Sequence, residues 1–275
     1  MTSDGPASGI EVVPGISVVV PAKDERENLP ELLSEIAAAL SGRSFEVIVI
    51  DDGSSDGTSE MLADLASRTP WLRAMRHAVA CGQSASVRTG LHAARGDILV
   101  TIDGDGENDP AYIPALVAAL ESAGEGVALA AGQRVGRKAS RAKRIASKLA
   151  NRLRGALLKD QTRDSGCGLK AIRREVFLQL PYFDSWHRFL PALVLREGHG
   201  VTHVDIVDRQ RRHGTSKYGI LDRAFVGALD LFGVWWLRRR RKRVPEVSAV
   251  AGFGEGISGG MATGERGAVP PALKE

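Results

Sequence analysis

The segment TIDGDGENDP, residues 101–110, sets two aspartates one residue apart directly after the apolar run 98–100. In extended backbone, side chains two residues apart point to the same side, so Asp103 and Asp105 could converge on one cation. Oxygen ligands favour Mg2+ or Mn2+ over softer metals. The spacing therefore predicts a divalent metal site. The alternative is a solvated acidic turn, in which Asp109 caps a helix that begins at Pro110.

A second acidic pair begins the segment DDGSSDGT, residues 51–58. A carboxylate at the end of a strand accepts N–H or O–H bonds, which makes Asp52 a candidate for binding a nucleobase or a ribose. Asp-Gly-Ser also favours an Asx turn that needs no ligand, and in isolation the turn is the simpler interpretation.

Basic side chains could supply the complementary charge. Arg134, Arg211 and Lys217 could hold phosphate groups, and an arginine does so through two parallel hydrogen bonds. A solvated basic face is the alternative. Aromatic residues make up only 5% of the chain and no nucleic-acid module is recognisable, so we do not expect nucleic-acid binding.

Strands and helices that alternate along the first half of the chain must position these segments. Continuous β-branched runs and helical periodicity define the two kinds of element. The predicted strands are 16–22, 45–52, 72–77 and 97–103, and the predicted helices are 28–40, 58–67, 83–94 and 110–122. This alternation favours an α/β fold with a mostly parallel sheet, in which ligands bind at the carboxyl ends of the strands.

The composition is that of a globular protein, with 275 residues of which 43% are hydrophobic. Two cysteines outside any metal-binding spacing fit a reducing cytoplasm. The N-terminus lacks the regions of a signal peptide, and no apolar stretch reaches the roughly 18 residues that would span a bilayer. We expect a flexible N-terminus over 1–14, a globular domain over 15–223, a basic membrane-surface segment over 224–243 and a disordered tail over 244–275.

Two basic stretches suggest contact with a membrane surface. Residues 132–154 carry nine Lys or Arg and no acid, at spacings that predict an amphipathic helix. Trp235 and Trp236 precede the basic run 238–243. Tryptophans favour the headgroup level and basic clusters attract anionic lipid. The alternative is that the tryptophans pack onto the domain and the basic run is merely solvated.

In order and spacing, six segments resemble motifs of the inverting glycosyltransferases of the GT-A fold, and within them the dolichol-phosphate mannosyltransferase-like enzymes. The resemblance covers roughly residues 15–237. VVVPAKDE is similar to the family's VVIPAYNE, VIVIDDGSSDGT to its VVDDGSxDGT, and DGDGEND to its DxDxQ. Gly132-x-Arg134 resembles its GSR, DSGCGLKAIRREVF its acceptor-side segment, and residues 211–217 its RxxGxSK.

The resemblance implies a Rossmann-like nucleotide-sugar-binding fold followed by C-terminal interfacial helices, and it implies roles by position. Asp103, Asp105 and Arg211 would be catalytic. Mg2+ or Mn2+ would be held by Asp103, Asp105 and Glu107. The nucleotide sugar would contact a larger set at the strand ends and in the basic segments: Pro21, Lys23, Glu25, Ile50, Asp52, Asp103, Gly104, Asp105, Arg134, Arg211 and Lys217.

Two residues depart from the family's pattern. Lys23 stands where the family carries an aromatic residue, so stacking on the base is lost and the base preference is open. Glu107 stands where the family carries Gln, which adds negative charge at the metal and should tighten divalent binding.

The resemblance implies an inverting transfer of a sugar from a GDP- or UDP-sugar to a polyprenyl phosphate. The enzyme would be peripheral on the cytoplasmic face of the membrane, alone or with a membrane-protein partner. An ionised phosphate acceptor needs no strong base, and no histidine is recognisably paired with a carboxylate. Two alternatives stay open: a saccharide or protein hydroxyl acceptor with Asp164 as base, and a non-catalytic nucleotide-sugar-binding or anionic-lipid scaffold. The sugar, the base, the lipid length and the oligomeric state do not follow from the sequence.

Overall fold

The computed structural model describes residues 13–135, 154–209 and 220–241, without the side chains of 220–226. Most of the predicted basic helix of 132–154 lies outside these ranges. So do Arg211 and Lys217, and the predicted tail 244–275. Their predicted roles stay predictions.

Seven strands form one sheet. In chain order they are β1 (Ile16–Ala22), β2 (Phe45–Asp51), β3 (Leu72–Arg76), β4 (Ile98–Thr101), β5 (Val127–Arg134), β6 (Lys170–Arg173) and β7 (Gly200–Ile206). The helices are α1 (Leu29–Ala39), α2 (Thr58–Arg68), α3 (Gln83–Ala93), α4 (Ile113–Ser122), α5 (Arg174–Phe177), α6 (Leu190–Arg196) and α7 (Ile220–Arg239). Short 3-10 turns lie at Pro110–Tyr112 and Trp186–Arg188.

The strand order is β3-β2-β1-β4-β6-β5-β7. The first four strands pair in parallel, so their carboxyl ends share one edge of the sheet. In the parallel register Ala22 of β1 lies opposite Asp51 of β2. The strand β6 runs antiparallel to both β4 and β5, which brings the segment before Lys170 back to the same edge.

Both faces of the sheet are covered because successive residues of β1 point to opposite faces. Val18 and Val20 pack in a core cluster with α1 and α4. Val19 packs in the other cluster, with α3, α6 and Val234 of α7. This explains why β1 and β2 read as unbroken apolar runs rather than as alternating ones.

The elements predicted for residues 16–122 are confirmed, with boundaries within a few residues. The second half was not predicted: β5, β6, β7 and α6 did not emerge from the sequence. The helix α7 begins at Ile220, before the boundary expected at residue 224. No helix in the described ranges is long and apolar enough to cross a membrane.

A close contact between α3 and β1 depends on Gly90. A Cβ atom placed on Gly90 would lie 2.3 Å from Cγ1 of Val19 and 3.3 Å from Cγ1 of Ile50. Because Val19 and Ile50 are fully buried, neither side chain can move away freely.

We expect Gly90→Ala to lower the free energy of unfolding by roughly 1–3 kcal/mol, because the added methyl overpacks the core. Gly233→Ala is the matched control, since a methyl added at that position of α7 would meet nothing within 4 Å. That variant should be neutral or stabilise by roughly 0.5–1 kcal/mol, as alanine restricts the unfolded chain. Urea unfolding followed by circular dichroism measures both, and equal effects would contradict the close-packing argument.

Candidate active site at the carboxyl edge of the sheet

The loops that follow β1 and β2 are joined by hydrogen bonds. The backbone N–H of Asp24 donates to Oγ of Ser54 at 2.8 Å, and Nζ of Lys23 donates to the carbonyl of Gly53 at 3.2 Å. Asp24 has a φ of +51°, which aspartate tolerates better than most residues. The two predicted nucleotide-binding loops therefore form one unit, with Lys23 directed to the β2 loop.

Glu25, Pro21 and Ile50 fall at the same edge but differ in exposure. An oxygen of Glu25 accepts from Nδ2 of Asn28 at 2.6 Å, at the start of α1. Pro21 is half-buried, and the side chain of Ile50 is fully buried in the core. Ile50 could therefore contribute to a nucleotide pocket only through its backbone.

The adjacent aspartates after β2 have separate functions in the fold. Oδ1 of Asp51 accepts from the N–H of Ser54, three residues on, at 2.8 Å, and so closes the turn in place of an Asx turn at Asp52. Asp52 instead accepts from three donors: Nδ1 of His77 at 2.8 Å, the N–H of Cys81 at 2.8 Å and the N–H of Gly82 at 2.7 Å. Burial alone would raise the pKa of Asp52, but these hydrogen bonds outweigh it and lower the pKa.

The pair of His77 and Asp52 corrects the expectation that no histidine is paired with a carboxylate. No sequence pattern signals this pair, because the partners lie 25 residues apart and follow different strands. Nε2 of His77 is within 3.0 Å of Oγ1 of Thr89, so the ring is held from both sides.

Asp103 lies among close neighbours from two other segments. Nε2 of Gln83 donates to its Oδ1 at 2.7 Å. A Cβ atom on Gly168 would lie 2.4 Å from the carboxyl group of Asp103, so only glycine fits there. Burial, followed by the charge of Asp105, raises the pKa of Asp103 to about 6. Gly104 is equally constrained, since its Cβ would lie 2.8 Å from the carbonyl of Pro21.

The rest of the acidic segment is closed by Arg209. Its N–H donates to the carbonyl of Glu107 at 2.8 Å, and its guanidinium pairs with Asp109 at 2.5 Å and Glu35 at 2.7 Å. Asp109 also accepts from the N–H of Ala111 at 2.9 Å and so caps the 3-10 turn. The predicted cap therefore exists. Oδ1 of Asp105 accepts from the N–H of Glu107 at 3.1 Å, and Asp103 takes no part in the cap.

The chemistry of the side chains in the acidic segment fits a hard divalent cation. Asp103, Asp105 and Glu107 supply only oxygen atoms as ligands. The charges of Asp105 and Glu107 both raise the pKa of Asp103. A cation that binds between the three ionised carboxylates offsets their mutual repulsion. Their oxygens are not all within 4.8 Å of one another, so the arrangement would have to close around an ion.

Arg134 is fixed by two carboxylates. Its guanidinium binds Asp164 through Nε at 2.5 Å and Nη2 at 2.9 Å, and Nη1 lies 3.4 Å from Asp208. Burial would raise the pKa of Asp164, but the hydrogen bonds and charge of Arg134 outweigh it and lower the pKa. Asp164 is thus a weak base, which argues against its role in the hydroxyl-acceptor alternative.

Sequence reasoning missed four residues near Asp103. Besides Gln83 and Gly168, they are Lys170, which is buried and donates to the carbonyl of Cys167, and His187. Nδ1 of His187 lies 2.7 Å from Oγ of Ser84, the residue after Gln83. The spacing of these residues along the chain carries no periodic signal, and the fold brings them together from α3, the start of β6 and the turn at Trp186–Arg188.

The arrangement combines an acidic centre that can take a cation with a buried lysine and two braced loops. Such an edge suits a ligand that carries phosphates and a metal ion, since fixed charges stabilise charge that develops during reaction.

Comparison with known proteins identifies a family and related enzymes. The model of the family Glycosyl transferase family 2 matches residues 17–180. A dodecaprenyl-phosphate galacturonate synthase of Rhizobium johnstonii is 33% identical over 246 residues, which is 88% of this chain and 72% of that protein. An undecaprenyl-phosphate 4-deoxy-4-formamido-L-arabinose transferase of Aeromonas hydrophila is 34% identical over 212 residues, or 75% of this chain and 63% of that one.

A solved structure supports the fold. The glucosyl-3-phosphoglycerate synthase of Mycobacterium tuberculosis, crystallised with Mn2+, UDP-glucose and phosphoglyceric acid, superposes with a TM-score of 0.61 at 23% identity. The match covers 82% of this chain and 79% of that one. The expected GT-A fold with a mostly parallel sheet is thereby confirmed.

Acid should destabilise the protein through His187. Burial, followed by the charges of Lys170 and Arg188, lowers the pKa of its imidazole from 6.5 to about 3. Below pH 6.5 the unfolded chain takes up a proton that the folded ring does not, so stability is lost as pH falls toward 3.

We expect the stability difference between the wild type and His187→Asn to shrink below pH 6.5, by at most about 1.4 kcal/mol per pH unit. Asparagine can keep the bond to Ser84 but has no proton to gain. Urea unfolding at pH 7.5, 6.0 and 5.0 measures the difference, and a difference independent of pH would contradict an imidazole that stays neutral in the folded protein. His199→Asn is the control, because that histidine is half-buried and lies between α6 and β7, outside the contact with Ser84.

Proposed function

Since the chain belongs to glycosyl transferase family 2, we propose that it transfers one sugar from a nucleotide sugar to a polyprenyl phosphate at a membrane surface. The donor would carry GDP or UDP, and the transfer would invert the anomeric centre. The two relatives are named for dodecaprenyl-phosphate and undecaprenyl-phosphate. The chain spans 72% and 63% of their lengths, so the whole reaction is a proposal for this chain.

The observation that carries the proposal is the close packing of other residues around the carboxyl group of Asp103, beside Asp105 and Glu107. Gln83 orients the carboxyl group of Asp103, and only glycine at position 168 leaves room for that group. Concentrated negative charge of this kind is costly for stability, which fits a binding function better than a structural one. The turn hydrogen bonds of the segment go to Asp105 and Asp109, and Asp103 makes none of them.

Asp103, Asp105 and Glu107 would hold Mg2+ or Mn2+. When bound, such an ion offsets the negative charge of a departing nucleoside diphosphate. The residues of this chain would do the rest: the joined β1 and β2 loops would hold the base and ribose, and Gln83 would keep Asp103 in position.

A phosphate acceptor suits the charges around Arg134. A phosphate oxygen is ionised near neutral pH, so no group of the protein needs to remove a proton. Asp164, the base that a hydroxyl acceptor would need, is occupied by a two-point ion pair with Arg134. This observation favours the phosphate acceptor over a saccharide or protein hydroxyl.

The helix α7 would bring the site to a lipid-borne acceptor. Leu229, Phe232 and Trp236 are 58%, 63% and 50% exposed, and their spacing of three and four sets them on one side of the helix. Arg239 and Arg240 are exposed at its end. An apolar row beside basic residues is the signature of an interfacial helix on an anionic membrane. The protein would lie on the cytoplasmic face, alone or with a membrane-protein partner.

Transfer is tested with purified protein, undecaprenyl phosphate and a panel of labelled GDP- and UDP-sugars with Mn2+ or Mg2+. We expect label in the organic phase from one donor, lost on addition of EDTA. Asp105→Asn should lower the rate by about a hundredfold or more, because charge stabilisation in the transition state is lost.

Asp64→Asn is the matched control, since the side chain of Asp64 is exposed on α2 and pairs with Arg68 on the same helix. It should keep the wild-type rate. Label in a soluble saccharide instead of lipid would favour the hydroxyl acceptor. Nucleotide-sugar binding without any product would favour the non-catalytic scaffold.

Membrane binding is tested by co-sedimentation with vesicles of anionic or zwitterionic lipid. We expect the combined variant Leu229→Ser, Phe232→Ser, Trp236→Ser to bind anionic vesicles at least about tenfold more weakly, as each apolar side chain gains roughly 1.5–3 kcal/mol on burial. Val79→Ser, 68% exposed in the loop after β3, is the control and should bind normally. Equal binding of both variants would exclude α7 as the membrane contact.

A further inference from the structure

A second cluster of ligating side chains lies at the ends of β2 and β3. In the part of the chain that the structure describes, one group of three residues has a ligand atom each within 4.8 Å of the others: Asp52, His77 and Cys81. Asp52 follows β2, His77 follows β3, and Cys81 lies in the loop before α3. Three separate segments therefore converge on one point.

We propose that Asp52, His77 and Cys81 bind a borderline-soft divalent cation, Zn2+. The group offers one oxygen, one nitrogen and one sulfur atom, and zinc accepts all three with a fourth position left for water. The acidic segment around Asp103 offers oxygen only, so the two sites prefer different metals. This inference goes beyond the proposed function, because the site needs neither donor nor acceptor.

The histidine ring is already held as in a metal site. In the metal-free protein Nδ1 of His77 donates to Oδ1 of Asp52 at 2.8 Å, so Nε2 accepts from Oγ1 of Thr89 at 3.0 Å. With a metal on Nδ1, the ring proton would sit on Nε2, which would donate to the same hydroxyl. Ligating histidines commonly bond an outer partner through the other nitrogen in this way. The metal would take the place of the proton shared by Nδ1 and Oδ1 of Asp52.

The required movement is small. Nδ1 of His77 and Oδ1 of Asp52 are 2.8 Å apart, and two ligands of a tetrahedral zinc stand about 3.3 Å apart. A separation larger by about half an ångström admits the ion. The N–H of Gly82 still bonds the other oxygen of Asp52, at 2.7 Å, and keeps the carboxylate oriented.

Access and ionisation also fit. The side chains of Asp52 and His77 are 6% and 17% exposed, whereas Cys81 is exposed on its loop. The ion can thus enter from solvent to a fixed carboxylate and imidazole, and the thiol releases its proton to water as it binds. The backbone N–H groups of Cys81 and Gly82 donate to the carboxylate of Asp52 and hold it in place.

The test uses Co2+ as a spectroscopic substitute for Zn2+, added to the chelator-treated full chain without nucleotide. A thiolate bound to Co2+ gives a near-ultraviolet charge-transfer band, which oxygen ligands do not give. We expect this band at one equivalent in the wild type, its loss in Cys81→Ser, and its displacement by Zn2+. Cys167→Ala should keep the band, because Cys167 is buried away from the site.

Thr89→Val separates metal binding from a simple loss of the thiol. It removes the outer hydrogen bond to His77, and we expect Co2+ to bind about tenfold more weakly with the band retained. Thermal unfolding of each variant confirms that it is folded. No band in the wild type, or the same band in Cys81→Ser, would overturn the inference. Because the readout involves no sugar transfer, its failure leaves the proposed function untouched, and the reverse also holds.

Discussion

The repulsion among carboxylates at one edge of the sheet is the constraint on which the candidate site depends. Burial and the charge of Asp105 both oppose ionisation of Asp103. Three features accommodate the carboxylate of Asp103. The charge of the buried Lys170 favours its ionised form, Gln83 donates a hydrogen bond to it, and Gly168 leaves it room. A nucleoside diphosphate would bring still more negative charge to this edge. A bound divalent cation would therefore make donor binding compatible with these aspartates.

Two described arginines at this edge reinforce that conclusion, because each is already paired with carboxylates. Arg134 is held by Asp164 and Asp208, and Arg209 by Asp109 and Glu35. An incoming phosphate would have to displace a carboxylate to reach either one. Both arginines hold loops together in this state. Arg211 and Lys217, the other cations that the resemblance assigns to phosphates, lie beyond the described residues.

The sequence predicted the part of the fold that local patterns encode. β1 and β2 are buried on both faces, so their apolar runs are unmistakable. β5 is rich in Ala and Gly and β6 has four residues, so neither carries a strand pattern. The same distinction holds for the site. The spacing of Asp103 and Asp105 is a local pattern that the sequence shows. The contacts of Asp103 with Gln83 and Gly168, and the pairing of Asp52 with His77, arise only from the topology of the sheet.

Trp235 and Trp236 show how one sequence pattern can satisfy two interpretations. Neighbours on a helix point about 100° apart, so one face is buried and the next is exposed. Trp235 packs on the core beside the buried Val234, whereas Trp236 is 50% exposed. The carbonyl of Glu197 accepts from Arg241 at 2.6 Å just beyond α7, which fixes that end of the helix to the domain. A rigid attachment of this kind would let a membrane-bound enzyme keep its orientation toward a lipid-borne acceptor.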